Sequence, residues 1–309
     1  MFQRKKNRLR SILTLMLIAL IIATTAQARK KNIIFMIADG WGFNHILAAN
    51  CWNGSSPAYE TWKVKYGMST WPAGSGYNGA AAWADFGYPL YGFTDSAAAA
   101  TALSTGVKTY SGAIGIGPDH QPVEHILERA ESRGMATGVI TSVPISHATP
   151  AGFVAHNASR SNYAAIAKEM ITQSAIDVIM GAGHPLYSND GIKLSGGFNY
   201  DYVGGSSIWN GLIAGTVGGD ANGDNAADFW TLIQDKGEFE KMASGDTPKR
   251  VIGIAQVSTT LQERRWFRPA GNSTEPPYKI PFNKNVPTLE MMAKAAINVL
   301  DNDPDGFFL

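Results

Sequence analysis

The sequence has 309 residues, which is long enough for one large domain or two domains of ordinary size. Its composition, 45% hydrophobic and 17% charged, is that of a globular protein, and its formal net charge is +1. This balance excludes recognition of nucleic acid or of an anionic membrane through a strongly basic surface.

The first 28 residues predict an export signal. A basic start without acidic residues leads into the apolar run 12–23, and Ala26-Gln27-Ala28 offers a cleavage site flanked by small residues. The apolar run is shorter than the roughly 20 residues of a transmembrane helix. We therefore expect cleavage, export to the periplasm or the extracellular space, and no stable membrane insertion afterwards; an uncleaved anchor is the alternative. Cys51 is the only cysteine, which excludes an intramolecular disulfide.

Apolar, strand-like segments alternate with segments of helical spacing along the chain. The predicted strands are 32–38, 136–143, 176–180 and 307–309, and the predicted helices begin at Ser96 or cover 122–133, 161–173 and 287–301. This alternation predicts an α/β fold with a doubly wound, mostly parallel sheet and helices on both faces. Ligands of such sheets bind beyond the carboxyl ends of the strands, where Asp39 and the loop 144–150 fall.

Residues 186–284 have a different character. They are rich in Gly, Asn, Asp, Pro and aromatic residues with weak periodicity, which predicts a long insertion over the sheet or a small cap. Four of their side chains are spaced as in a calcium-binding loop: Asp220, Asn222, Asp224 and Asp228. Asn225 and Thr231 stand where such a loop uses Gly and a bidentate Glu, so a solvated acidic loop without Ca²⁺ is the favoured interpretation.

The run from Thr94 to Gly106 is the most informative stretch, because Ser96 opens an alanine-rich helix there. Asp95 supplies capping chemistry, and the alanines favour helix. The helix N-terminus presents unpaired N–H groups to an anion, and a serine at that position becomes a nucleophile if its pKa is lowered. Taken alone, Ser96 is more simply interpreted as a capping residue.

Three further residues change this interpretation. Asp39 ends the first predicted strand, where its carboxylate suits a divalent cation, and Thr149 lies in the loop that follows the second. Arg160 presents a planar fork that matches phosphate oxygens. A cation beside Ser96 would convert its hydroxyl into an alkoxide, so together these residues predict attack of a serine on a phosphoryl group.

Three segments closely resemble the alkaline phosphatase family: residues 31–42 (KNIIFMIADGWG), 92–111 (GFTDSAAAATALSTGVKTYS) and 146–160 (SHATPAGFVAHNASR). Their order and approximate spacing match as well, and residues 305–309 resemble the stretch before that family's Met-x-Glu-Gly metal motif. The resemblance implies that 29–309 belongs to a catalytic domain that hydrolyses phosphate monoesters to inorganic phosphate with two zinc ions and one magnesium ion. The family often dimerises, so a homodimer is expected of the full-length parent.

The resemblance also implies roles at the phosphate side of the site. Ser96 is similar to the nucleophile that becomes phosphoserine, and Arg160 is similar to the arginine that clamps two phosphate oxygens. Asp95 is similar to the residue that orients this arginine. The implied reaction is a pair of in-line displacements, in which water hydrolyses the phosphoserine in the second step.

On the metal side, the resemblance covers three positions. Asp39 is similar to the carboxylate shared by one zinc and the magnesium, and Thr149 to a hydroxyl ligand of the magnesium. His147 falls near the magnesium, where it would act through the surrounding waters. The family's other ligands lie later than Leu309, and a zinc site needs about three protein ligands. We therefore expect the 309-residue chain to be an inactive N-terminal fragment.

Two alternatives stay open at this point. The first is another hydrolase of the same broad superfamily, such as a phosphodiesterase or a sulfatase, although Ser96-Ala97-Ala98-Ala99 lacks the Pro-Arg pattern that follows a sulfatase nucleophile. The second is a truncated, non-catalytic phosphate-binding protein that uses Arg160 and the helix terminus.

Overall fold

A computed structural model describes residues 31–262 and 280–309 of the chain. The predicted export signal, 1–28, lies outside the described residues. Among the helices that the structure describes, none combines the length and the apolar character that crossing a bilayer requires.

A parallel sheet forms the centre of the described structure. The strands are β1 (Ala136–Pro144), β2 (Val178–Ala182), β3 (Gly218–Gly219), β4 (Asp228–Phe229), β5 (Thr231–Ile233), β6 (Val251–Ile254) and β7 (Phe307–Phe308). Five of them pair in the order β5-β6-β2-β1-β7, and every neighbouring pair in this sheet is parallel. The predicted α/β fold is confirmed.

Helices cover both faces of this sheet. The α-helices are α1 (Phe43–Asn53), α2 (Gly79–Ala84), α3 (Ser96–Thr105), α4 (Ile126–Glu131), α5 (Ala148–Ala151), α6 (Tyr163–Thr172), α7 (Ser206–Ala214), α8 (Lys236–Met242) and α9 (Leu289–Leu300); short 3₁₀ turns cover Ala58–Thr61, Tyr88–Leu90 and Asp201–Val203. Because successive strand side chains point to opposite faces, Ile179 packs into a core cluster with residues of α3, α4 and α6. Its neighbours Val178 and Met180 pack into a second cluster with residues of α8 and α9.

The predicted helix 122–133 is shorter in the structure, where α4 begins only at Ile126. The residues before it are held in extended pairing, because Ile116 bridges Pro122 and the Val123 N–H donates to the Gly115 carbonyl at 2.9 Å. The helix starts where the Glu128 carboxylate can accept the backbone N–H of His125 at 2.7 Å.

The predicted strand 32–38 runs alongside β7 but forms only one bridge, between Ile33 and Phe308. The Ile33 N–H donates to the Phe307 carbonyl and the Phe35 N–H to the Leu309 carbonyl, both at 2.8 Å. Within residues 31–262 and 280–309, no strand pairs with the edge of segment 32–38 that faces away from β7. The segment is parallel to β7, so its last residues and Asp39 lie toward the carboxyl-end edge of the sheet.

The segment 186–284 does not lie wholly over the sheet as the sequence predicts, because β5 and β6 belong to the sheet itself. Strands of three and four residues are too short to show a period, which explains why the pattern missed them. In the proposed calcium loop, Asp220 accepts backbone N–H bonds from Gly223 at 2.7 Å and Asn225 at 2.9 Å. Occupancy of this loop by Ca²⁺ stays a prediction.

A buried arginine joins this segment to the rest of the sheet. Arg250 is 4% exposed and its guanidinium lies 3.9 Å from the centre of the Trp230 ring. It donates at 2.6–2.9 Å to four backbone carbonyls from three separate stretches of chain: Ser174, Ile176, Gly219 and Asp228. Burial lowers the pKa of Arg250 to about 10 despite the nearby carboxylates, so the residue stays charged at neutral pH.

We predict that Arg250→Met lowers the free energy of unfolding by about 3–5 kcal/mol, because four buried carbonyls lose their donor. Urea denaturation of both proteins measures the change. The matched control is Arg129→Met, since Arg129 pairs with Glu124 at 2.6 Å on an exposed surface and its loss is expected to cost about 1 kcal/mol or less. Equal effects of the two substitutions would contradict the bracing role of Arg250.

Candidate active site

Ser96 is the first residue of α3, as the sequence predicts. Asp95 caps the helix by accepting the Ala98 N–H at 2.9 Å, and the helix ends at Gly106, whose φ of 76° is favourable for glycine. Ala97 and Ala100 are buried on the side of the helix that faces the core, while Ser96 is half-buried. The helix start is therefore fixed in place and leaves the serine accessible.

The Asp95 carboxylate is bonded to three parts of the chain. Besides capping α3, its Oδ1 accepts the Gly112 N–H at 3.0 Å, and its Oδ2 pairs with Arg160 Nη1 at 3.1 Å. The Gly112 carbonyl in turn accepts the Arg160 backbone N–H at 2.7 Å. The side chain of Asp95 is 19% exposed and that of Arg160 is 25% exposed, so the arginine is held next to the helix N-terminus and keeps some contact with solvent.

The surroundings of Asp95 favour its charged form. Burial raises the pKa of this carboxyl, but the N–H groups of Ala98 and Gly112 and the Arg160 guanidinium outweigh burial and hold the pKa below its ordinary value. Asp95 is therefore an anion across the neutral and alkaline range. It partly neutralises Arg160 and fixes the direction in which the fork points.

Asp39 and Thr149, which the sequence places at one edge of the sheet, are in direct contact although 110 positions separate them. The Thr149 Oγ1 donates to the Asp39 Oδ2 at 3.1 Å. A tilted aromatic contact between Phe35 and Phe153, with ring centres 5.9 Å apart and planes 44° apart, holds the two chain segments together near this bond. The segment before Asp39 and strand β1 run parallel on either side of β7, so their carboxyl ends bring both oxygens to one edge of the sheet.

The helix that carries Thr149 packs directly on the helix that begins with Ser96. Gly152, just after α5, approaches α3 so closely that a Cβ there would lie 2.7 Å from the Ala100 Cβ. The Ser104 hydroxyl donates to the Gly152 carbonyl at 2.5 Å. The predicted nucleophile and the predicted metal ligand thus lie on neighbouring helices.

The residues at this edge fit a hard cation but do not complete a zinc site. Asp39 and Thr149 offer a carboxylate and a hydroxyl oxygen, which suit Mg²⁺. Zinc needs about three nitrogen, sulfur or carboxylate donors. In the described part of the chain, the one group of three His, Cys, Asp or Glu side chains near enough to share an ion lies elsewhere, at His125, Glu128 and His156.

His147 lies at the start of α5, and its ring stacks on Tyr163 with centres 6.1 Å apart and planes 15° apart. This places it two residues from Thr149; its predicted action on a metal through bound water stays a prediction. Sequence reasoning missed Gly112, which binds both Asp95 and Arg160 through its backbone. Backbone bonds depend little on residue type, so no sequence signal could have found this role.

Comparison with known proteins identifies the family. The family model described as "Alkaline phosphatase" matches residues 30–309. The chain belongs to the alkaline phosphatase family. It is 31% identical to the alkaline phosphatase of Escherichia coli K12, over 90% of this chain, and 29% identical to alkaline phosphatase H of Pseudomonas aeruginosa, over 92%. The chain spans 59% of the length of each of these relatives.

Solved structures agree with this assignment. The cold-active alkaline phosphatase from Shewanella sp. superposes with a TM-score of 0.58 at 27% identity, over 90% of this chain and 55% of that protein. The alkaline phosphatase of the Antarctic bacterium TAB5 superposes with a TM-score of 0.59 at 24% identity, over 90% of this chain and 64% of that protein. This second likeness supports the fold alone.

We predict that Asp95→Ala lowers the free energy of unfolding by about 1–2 kcal/mol, because the α3 cap and the Arg160 pair are both lost. Asp95→Asn is the matched control, since asparagine caps equally well through its amide oxygen but loses the charge and the Arg160 pair. The pKa of Asp95 is lower in the folded protein than in the unfolded chain. The Asp95 carboxylate therefore stabilises the folded protein fully above the pKa of the unfolded chain, near 3.9, and this stabilisation is lost as pH falls through the folded-state pKa. Denaturation curves between pH 3 and 6 should therefore decline less steeply for Asp95→Asn than for the parent; identical curves would contradict this.

Proposed function

We propose that the protein containing this chain is a metal-dependent phosphomonoester hydrolase that works through a phosphoserine at Ser96. The observation that carries the proposal is the arrangement at the start of α3. A half-buried serine, the helix N-terminus and an arginine held by Asp95 at 3.1 Å occur together. Family membership supports the same reaction class and its dependence on metal ions.

The residues present would divide the work as follows. The N–H groups of α3 and the fork of Arg160 bind the phosphoryl oxygens and stabilise the charge of the transition state. The Ser96 hydroxyl gives its proton to water and its oxygen forms a bond to phosphorus while the bond to the ester oxygen breaks. The leaving oxygen keeps the electron pair of that bond and takes a proton from water, which yields the alcohol. Water then attacks the phosphoserine, which releases inorganic phosphate and restores the serine.

Asp39 and Thr149 would hold the magnesium ion, whose charge helps to stabilise the phosphoryl-transfer site. The described residues supply Asp39 as the one ligand for the expected zinc pair, which is too few to hold either zinc ion. We further propose that the 309-residue polypeptide alone hydrolyses phosphate esters poorly, and that the protein with the remaining ligands is active, with a homodimer as its working form.

We predict that Ser96→Ala lowers kcat for p-nitrophenyl phosphate about a thousandfold or more in the product of the complete reading frame, assayed with Zn²⁺ and Mg²⁺ at alkaline pH. The control is Ser132→Ala, which removes an exposed hydroxyl just after α4 that donates to the Arg129 carbonyl. Radiolabelled phosphate trapped on the parent protein and absent from Ser96→Ala would identify the nucleophile. Normal turnover by Ser96→Ala would overturn the proposal.

A non-catalytic phosphate-binding role is the second candidate, and the Arg160–Asp95 pair favours it for the isolated chain. Calorimetry with inorganic phosphate on the 309 residues tests it, with Arg160→Ala expected to weaken binding about tenfold to a hundredfold. Absence of heat at millimolar phosphate would exclude this role. Preferential hydrolysis of a sulfate ester or a phosphodiester by the full-frame product would instead favour another hydrolase of the superfamily.

We also propose that the protein is exported and cleaved after Ala28. N-terminal sequencing of the protein recovered outside the cytoplasm should begin at Arg29. An intact Met1 in that material would contradict cleavage and favour the membrane-anchor alternative.

A further inference from the structure

Two histidines and a glutamate form a compact cluster at the start of α4, outside the candidate active site. The rings of His125 and His156 stack with centres 4.2 Å apart. The Glu128 Oε2 lies 3.2 Å from His125 Nδ1 and 3.9 Å from His156 Nε2. One ligand atom from each residue lies within 4.8 Å of the others. Donors bound to one zinc ion at about 2.0–2.1 Å are separated by at most about 4 Å, so shifts of less than an ångström would close the cluster around an ion.

His125 is the least explained member of the cluster. Its side chain has no exposed surface; Nε2 has no hydrogen-bond partner, and the Glu128 Oε2 at 3.2 Å from Nδ1 is not aligned for a hydrogen bond. Its Nε2 packs against Gly115, where a Cβ would lie only 2.4 Å away. Nδ1 is the nitrogen beside Glu128. A buried imidazole without well-aligned hydrogen bonds is costly, and a ligand at Nδ1 would satisfy that nitrogen.

The surroundings of the other two residues suit a metal centre. The His156 Nδ1 lies 3.4 Å from the Glu169 Oε1, which is the carboxylate–histidine arrangement that orients a metal-binding imidazole and leaves Nε2 as the donor. The Val123 carbonyl oxygen lies 3.2 Å from this Nε2. Glu128 is 44% exposed, and a cavity of 340 Å³ lined by Glu128, His156 and Glu169 connects the cluster with its surroundings.

We propose that His125 Nδ1, His156 Nε2 and the Glu128 carboxylate form a site for a divalent transition metal ion of the zinc type. Two imidazoles and one carboxylate are a donor set that zinc accepts, with a water or the Val123 carbonyl as the fourth ligand. Glu169 sets the tautomer of His156. The ion would join the start of α4 to the segment that leads, four residues later, to Arg160, so it would stabilise the loop that positions the phosphate-binding arginine.

Zinc alone, added to the metal-stripped 309-residue chain, is the probe. Calorimetry is done in an Asp39→Asn background, which removes the carboxylate expected to bind metal in the active site. We expect one zinc ion bound per chain, an affinity at least about a hundredfold lower in His156→Gln, and one about tenfold lower in Glu169→Gln. Co²⁺ in place of Zn²⁺ should give a visible absorption band of low-coordinate Co²⁺ that His156→Gln removes.

His120→Gln is the matched control, because His120 is exposed and contacts Tyr110 instead of the cluster; it should leave zinc affinity unchanged. Circular dichroism checks that each variant is folded. If His156→Gln unfolds, Glu128→Gln replaces it as the test variant, since the glutamine amide oxygen can still accept the backbone N–H of His125. No zinc binding at micromolar concentration, or equal affinity in parent and cluster variants, would overturn the proposal and leave the cluster as an ion pair between a protonated His156 and its carboxylates.

Discussion

The three-way bonding of the Asp95 carboxylate is the constraint on which the candidate site depends. One side chain caps α3, holds the Gly112 loop and pairs with Arg160. A charged acceptor with several N–H donors is stable when half-buried, because its hydrogen bonds replace its lost water. The serine, the helix N-terminus and the arginine are consequently oriented by one anion, and a change at Asp95 reaches all three.

The parallel sheet supplies the second constraint. Its strands end at one edge, so the segment before Asp39 and the loop after β1 deliver their polar residues to the same place. Close packing then sets the distances. Because Gly152 lets α5 approach α3 with no intervening side chain, Thr149 and Ser96 lie on helices in direct contact.

Charges elsewhere in the chain have structural explanations of different kinds. Arg250 is buried but bonded by four carbonyls and an aromatic face, so its positive charge ties the residues before β2 to the paired strands β3 and β4. His156 is flanked by two carboxylates: burial lowers its pKa, but Glu169 and Glu128 outweigh burial and raise it. His125 next to it lies 3.2 Å from the Glu128 carboxylate, but neither of its ring nitrogens makes a well-aligned hydrogen bond, which is why this cluster, unlike Arg250, calls for a ligand.

The sequence by itself determined the fold class and the helix that begins at Ser96, and it predicted four residues of the candidate site. These follow from local signals: alternation of apolar segments, an Asp before a run of alanines, and motifs whose residue types carry chemistry. The sequence could not place β5 and β6 in the sheet, because strands this short show no period. Nor could it show where α4 begins, because the pairing of Val123 with Gly115 keeps the residues before Ile126 extended. Only the tertiary structure decided that Asp39 contacts Thr149, that Gly112 holds both Asp95 and Arg160, and that His125 meets His156. Those contacts join residues far apart in the chain, and their distances are set by the packing of whole elements, which no local pattern encodes.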